Sequence, residues 1–145
     1  LNPAPAGEID EALFRDIDYF TPNETEAEFY TGIRVADEQT AEQAADRLLE
    51  KGVKNVVITL GKTGVYAKTE EFQGIVPSFR VNAVDTTGAG DAFNGGFCTA
   101  LAEGKNVRDA LLFANALAAL SVTRRGTSPA MPYREEIEKL LKGGN

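Results

Sequence analysis

The sequence predicts an α/β layered fold with a mostly parallel sheet. Segments patterned as strands alternate along the chain with segments patterned as helices, the signature of that class. The run "KNVVITLG" is continuously apolar, as expected of a strand covered on both faces. The stretch over about residues 37–51 is amphipathic and stops at Gly52, as a helix would.

Taken in order, the chain opens "LNPAPAGEID" without an initiator Met. Pro3 and Pro5 make this segment extended or turned. It reads as the exit of a strand whose body is absent, so the expectation is a portion of a longer protein. Residues 8–16 can form a short helix, and Ile17 to Phe20 a short strand. A break at Thr21-Pro22 precedes a helix with Asn23 or Thr25 as its N-cap and acids in its first turn. After the helix at 37–51 and the apolar strand, Val65 to Lys68 and Phe72 to Val76 read as a hairpin around Thr-Glu-Glu. A helix is expected from about Asp91 to Glu103, ended by Gly104. The next, from about Val107 to Val122, is apolar nearly all round and should be buried. "TRRGTSPAMP" is a loop, and "YREEIEKLLKGGN" a terminal helix.

Bulk composition narrows the function. The 145 residues suffice for one domain with a sizeable core. The net charge of −7 leaves no basic footprint, so neither nucleic acid nor an anionic membrane is an expected partner. One phosphate at a local positive site remains open. There is no histidine, which excludes Ser-His-Asp, Cys-His and His-metal chemistry within the chain. Acid–base work falls to Asp, Glu, Lys or Tyr. The single cysteine, Cys98, permits no intrachain disulfide and fits a reducing, cytoplasmic setting; it reads as a small core residue. No apolar stretch approaches the ~20 residues of a membrane span.

The chemistry concentrates in "DTTGAGDAFNGGF", residues 85–97. Gly88, Ala89 and Gly90 lie just before the expected helix. Small residues let backbone N–H groups approach a ligand, and a helix start offers unpaired donors and a positive dipole end. Together they make an anion site without a lysine. Asp91 at its rim would repel a phosphate. It is either a plain N-cap after a tight turn or a general base that takes a proton from an attacking hydroxyl. Gly95 and Gly96 each cost a helix about 1 kcal/mol, tolerable where a backbone or ligand must come close.

Two phosphate motifs fail here. The dinucleotide pattern needs a third glycine where Phe93 stands. Gly61-Lys62-Thr63 mimics the end of a P-loop, but the upstream glycine is replaced by Val56 and the chain continues into a strand. Gly61 and Gly64 remain a glycine turn at a strand end, where α/β folds bind nucleotides.

"DTTGAGDAFNGGF" resembles the C-terminal signature of the ribokinase-like carbohydrate kinases, the phosphofructokinase-B type. "LNPAPA", "TPNETEAE", "VVITLGKTGV", "FRVNAVDTTGAGD" and "VTRRGTSPAMPYREEI" are similar to successive segments of that family, in order, across essentially the whole chain. The resemblance implies a three-layer α/β/α sandwich with a mostly parallel sheet, of which residues 1–145 are the C-terminal part, lacking the N-terminal strands and the lid. It implies ATP-dependent phosphorylation of a sugar hydroxyl, D-ribose foremost. A fructose derivative, ketodeoxygluconate or adenosine are alternative acceptors, and a non-catalytic nucleotide-binding module the alternative of another class. A pure binder would gain nothing from Asp91.

By position, Asp91 matches the family's base, and Gly88, Ala89 and Gly90 its anion hole. Asn23 and Glu26 match the Asn-x-x-Glu motif near the magnesium-bound nucleotide phosphates. Thr59, Gly61 and Gly64 match the adenine-nucleotide loop, and Asn115 a position near the base where the family often has His. Asp85, Thr87, Ser121, Arg124, Gly126 and Ala130 match a monovalent-cation site, commonly potassium, built largely of backbone carbonyls. Without resemblance, Asn23 and Glu26 read as a helix cap with a first-turn acid, and Arg124-Arg125 as solvated charges. The family's sugar contacts lie mostly in the absent half. The expectation is a chain inactive alone, whose parent enzyme forms a homodimer through the lid.

Overall fold

The computed structural model describes residues 1–143, which divide into two compact units. The first comprises residues 1–61 and 65–76, the second residues 62–64 and the chain from Pro77 onward.

In the first unit a 3-10 helix, Glu11–Asp16, leads to strand β1, Tyr19–Phe20. Helix α1, Glu24–Thr31, is capped by Asn23 rather than Thr25. Asn23 Oδ1 accepts from Glu26 N, and Glu26 Oε2 accepts from Asn23 N, so each end satisfies the other. Gly32 closes the helix in the left-handed region at φ 72°. Helix α2, Glu38–Glu50, has the same reciprocal cap between Asp37 and Thr40. Ala41, Ala44, Ala45 and Leu48 recur at helical spacing and are fully buried. They pack with Phe20, Val56, Ile58 and Tyr66 of the sheet into one core.

Connection lengths set the strand directions. β2, Asn55–Thr59, follows β1 through both helices and runs parallel to it, with Tyr19 opposite Asn55 and Phe20 opposite Val56. β3, Gly64–Lys68, follows β2 after the single 3-10 turn Gly61–Thr63, too short for a crossover. It therefore pairs antiparallel, Val56 with Lys68 through Thr59 with Val65. β4, Gln73–Pro77, is the return strand of the expected hairpin, and the order is β1-β2-β3-β4. Where the sequence predicts a mostly parallel sheet, these four strands form a mixed one with a single parallel pair, β1 and β2. The residues after Gly61 enter β3 and not a helix, in line with the rejected P-loop.

The second unit is helical. α3, Ala89–Ala102, and α4, Val107–Ser121, are joined by a short loop through Gly104 at φ 80°. Asn106 caps α4 by accepting from Asp109 N at 2.9 Å. Gly96 lets the two helices meet: a Cβ there would lie 3.1 Å from Ala114 Cα. Val107, Ala110, Leu111 and Ala114 bury α4 as its composition requires. Cys98 is exposed on α3, which corrects the expectation of a core residue: the buried face of that helix is taken by Ala92, Phe93, Gly96, Phe97 and Ala100. After a second 3-10 turn, Ser128–Ala130, comes α5, Arg134–Gly143. Among the described residues no helix is long and apolar enough to cross a membrane.

Candidate active site

In the first unit, the C-terminal end of β2 and the start of α1 come together. Thr59 N donates to Pro22 O at 2.9 Å, and Asn23 bridges Thr59 in parallel register. This brings Asn23, Glu26, Thr59 and Gly61 to one end of the sheet. Glu26 is buried, and one of its oxygens is committed to the cap. Gly61 needs a positive φ of 51°, and a Cβ there would lie 4.0 Å from Glu24 Oε1. Glu24 is thus a neighbour of the glycine turn that the motifs do not single out. Its position in the first turn of a capped helix was the available signal. Gly64, at φ 116°, starts β3 just past the turn.

In the second unit, α3 begins two residues earlier than the sequence predicts. Gly88 is the N-cap, at φ 76° and ψ 9°, with no side-chain cap bond. A β-carbon there would sit 3.1 Å from Thr127 Cγ2, so left-handed backbone and close packing both require glycine. Ala89 N donates to Thr86 O at 3.2 Å, and Ala92 N to Gly88 O at 2.9 Å. The Gly90 and Asp91 amides between them have no acceptor among the described residues. A side chain on Gly90 would meet nothing within 4 Å, so this face is open. Asp91 is therefore a first-turn residue of α3 and not its N-cap, which removes the capping explanation of its carboxylate and leaves the helix dipole as its structural one. The side chain is exposed.

Asp85 is fixed by two loops. Its Oδ1 accepts from Thr87 N at 3.0 Å, and its Oδ2 from Gly126 N at 2.9 Å. These donors, Gly126 first, pull its pKa from the ordinary 3.8 down to about 2. Val84 N and Asp85 N also converge on Val122 O. Asp85, Thr87 and Gly126 thus form one cluster, with Gly126 in the left-handed region at φ 91°. Ser121 is buried, with its hydroxyl turned back to Ala118 O at 2.8 Å. Arg124 is not a free solvated charge: its guanidinium pairs with Glu136 of α5. Ala130 is buried, its amide bonded to Thr127 O.

Asn115 is buried in α4 and donates to Pro77 O at 3.2 Å, a structural tie within this unit. Among the described residues no group of three or more His, Cys, Asp or Glu is placed to hold a metal ion. A cavity of about 620 Å³, lined by Arg80, Val81, Asn82, Val84 and Thr123, opens beside the residues flanking Asp85 and includes none of Gly88 to Asp91. Thr127, packed on Gly88, is a neighbour that local sequence could not reveal, because it lies far along the chain.

Over residues 1–134 the chain matches the family described as pfkB family carbohydrate kinase. It is 49% identical over 142 residues to a ribokinase of Haemophilus influenzae, covering 98% of this chain and 46% of that protein. It is 42% identical over 142 residues to a deoxyribokinase of Salmonella typhi, with coverage of 97% and 46%. Among solved structures, ribokinase from Thermotoga maritima aligns with a TM-score of 0.88 at 46% identity, over 97% of this chain and 48% of that one. Arabidopsis thaliana ribokinase complexed with ribose and ATP aligns with a TM-score of 0.84 at 37% identity, over 92% and 44%. The chain spans a little under half the length of the curated relatives it matches.

Proposed function

This chain belongs to the pfkB family of carbohydrate kinases and has the α/β fold of its ribokinases, and from that premise we propose that it carries the nucleotide-binding and phosphoryl-transfer half of a cytoplasmic, ATP-dependent sugar kinase. The acceptor is D-ribose and the product ribose 5-phosphate. One observation carries the reading. The left-handed Gly88 opens α3 with the Gly90 and Asp91 amides unpaired, beside an exposed carboxylate that caps nothing.

In this mechanism Gly88, Ala89 and Gly90 receive the γ-phosphate at the helix start, where amide donors and the dipole stabilise its developing charge. Asp91 takes the proton of the sugar's primary hydroxyl as that oxygen bonds to phosphorus, and the bond to the ADP oxygen breaks. Asn23, Glu26, Thr59, Gly61 and Gly64 serve the nucleotide, with Asn115 near its base. Glu24 and Glu26, beside the glycine turn and in the cap of α1, are the acids near a magnesium ion that would bind mainly through nucleotide phosphates, since that cation keeps few protein ligands. That ion would neutralise the phosphates and offset their repulsion by Asp91. A potassium ion is assigned to the Asp85 region, with the backbone carbonyls of Thr87, Ser121, Arg124, Gly126 and Ala130 as proposed ligands; the ionised carboxylate that braces Thr87 and Gly126 supports this reading. The relative named ribokinase and the relative bound to ribose and ATP support the choice of acceptor and nucleotide, while the one named deoxyribokinase makes deoxyribose the competing acceptor.

The test is a phosphorylation screen on a protein of full family length that includes this chain. Ribose, deoxyribose, fructose and adenosine are offered with ATP, with and without potassium. Fastest ADP release with ribose, raised by potassium, is expected. Absence of any acceptor-dependent ADP release sinks the kinase reading.

A further inference from the structure

The first turn of α5 is tied to two places, the far end of α3 and the segment that packs on the candidate anion site. Arg134 makes a two-pronged ion pair with Glu103, the residue that ends α3. Two residues on, Glu136 accepts from the Arg124 guanidinium on both oxygens, and its Oε2 also accepts from Tyr133 N at 2.8 Å. Arg124 belongs to the segment after α4, and that segment reaches Gly88 by two routes. Gly126 N holds Asp85 Oδ2, whose Oδ1 holds Thr87 N, one residue before Gly88. Thr127 fills the space where a Gly88 side chain would stand. An ion pair as exposed as this one, with side chains 41% and 36% accessible, adds little to stability. Its geometric effect is larger, because it fixes one end of a chain of contacts that ends at the unpaired amides.

We infer that Glu136 is a positioning residue for phosphoryl transfer. Through Arg124 it holds the 122–127 segment, and with it the left-handed Gly88 that aims the Gly90 and Asp91 amides. This rests on the kinase reading above and names a residue that reading does not use. Amides aimed at a developing charge matter most in the transition state, so a small displacement lowers kcat before it weakens substrate binding.

The experiment uses the kinase of full family length. Glu136→Gln keeps an acceptor for Tyr133 N and removes the charge. We expect kcat to fall roughly 3- to 30-fold, with KM for ATP and ribose within about twofold of wild type. Arg134→Gln, which breaks an ion pair of the same kind at the other end of α3, leaves kcat unchanged. In parallel, Glu136→Gln shifts the backbone amide resonances of Gly90 and Asp91. The inference is overturned by an unchanged kcat in Glu136→Gln, by an equal loss in Arg134→Gln, or by unmoved resonances. A wild type without sugar-dependent turnover removes the kinase reading instead, and the resonances alone then decide the positioning claim.

Discussion

At the scale of single residues, the two acids that bracket "TTGAG" have opposite circumstances. Asp91 is exposed and spends its carboxylate on no cap, which is the state a general base needs. In the complete kinase, Asp91→Asn should lower kcat by about 10²- to 10⁴-fold, the usual worth of a general base, with KM little changed. Steady-state ADP release measures it, and a residual rate within about tenfold of wild type would refute the base assignment. Asp85, by contrast, is committed to Gly126 and Thr87, and its pKa is drawn down to about 2. A carboxyl depressed in the folded state stabilises the fold above its unfolded pKa, and that contribution disappears as pH falls through the folded value. Asp85→Asn should therefore be less stable than wild type at neutral pH, and the gap should close as pH falls from about 4 to about 2. Thermal midpoints of both proteins across that range test this; a gap that does not narrow removes Asp85 as its source. Glu103 and Glu136 are depressed too, by Arg134 and Arg124, so both proteins lose stability in acid and only the difference is diagnostic.

At the scale of elements, paired glycines in α3 set two magnitudes against each other. Replacing glycine by alanine inside a helix gains about 1 kcal/mol. At Gly95 nothing lies within 4 Å of a new Cβ, so Gly95→Ala should stabilise by up to that amount. At Gly96 the Cβ would press on Ala114 Cα and Leu117 Cδ1, both at 3.1 Å, and overpacking costs about 1–3 kcal/mol. Gly96→Ala should thus be net destabilising, and urea midpoints of opposite sign for the two variants check the helix contact. Elements such as α2 and β2 were legible because periodicity and an unbroken apolar run are local. Asn23 with Glu26 was legible as a cap for the same reason, since both partners of the reciprocal bonds lie within one turn. The start of α3 was not. Glycines read as a turn, yet Gly88 is the cap itself, held by Thr127 from a distant part of the chain. The mixed sheet escaped for a similar reason: alternation of elements suggests parallel strands, while the tight turn at Gly61–Thr63 forces β3 to run back along β2. Residue type alone places Cys98 in the core, although the face of α3 that carries it looks outward.

At the scale of the molecule, the two compact units share the proposed chemistry unequally: Asn23, Glu26, Thr59 and Gly61 of the nucleotide set lie in the first, and Gly64, Asn115 and the anion and base residues in the second. The family resemblance places most acceptor-sugar contacts, Asp91 apart, outside these residues, and magnitudes decide how much that matters. Preorganised donors to an oxyanion are worth about 10²–10³ in rate, and a general base about 10²–10⁴. Holding two reactants in register contributes more, as effective molarities of about 10⁵–10⁸ M indicate. On that expectation a chain spanning 46% of its Haemophilus influenzae relative forgoes most of that largest factor. The 145-residue chain should accordingly show no ribose-dependent ADP release above the enzyme-free blank, while the protein of full family length turns over under the same conditions. A coupled ADP assay run on both, at equal molar concentration and with potassium present, makes the comparison. Ribose-dependent turnover by the short chain would mean that acceptor positioning resides in these residues after all, and the division of labour argued from the two units would fall with it.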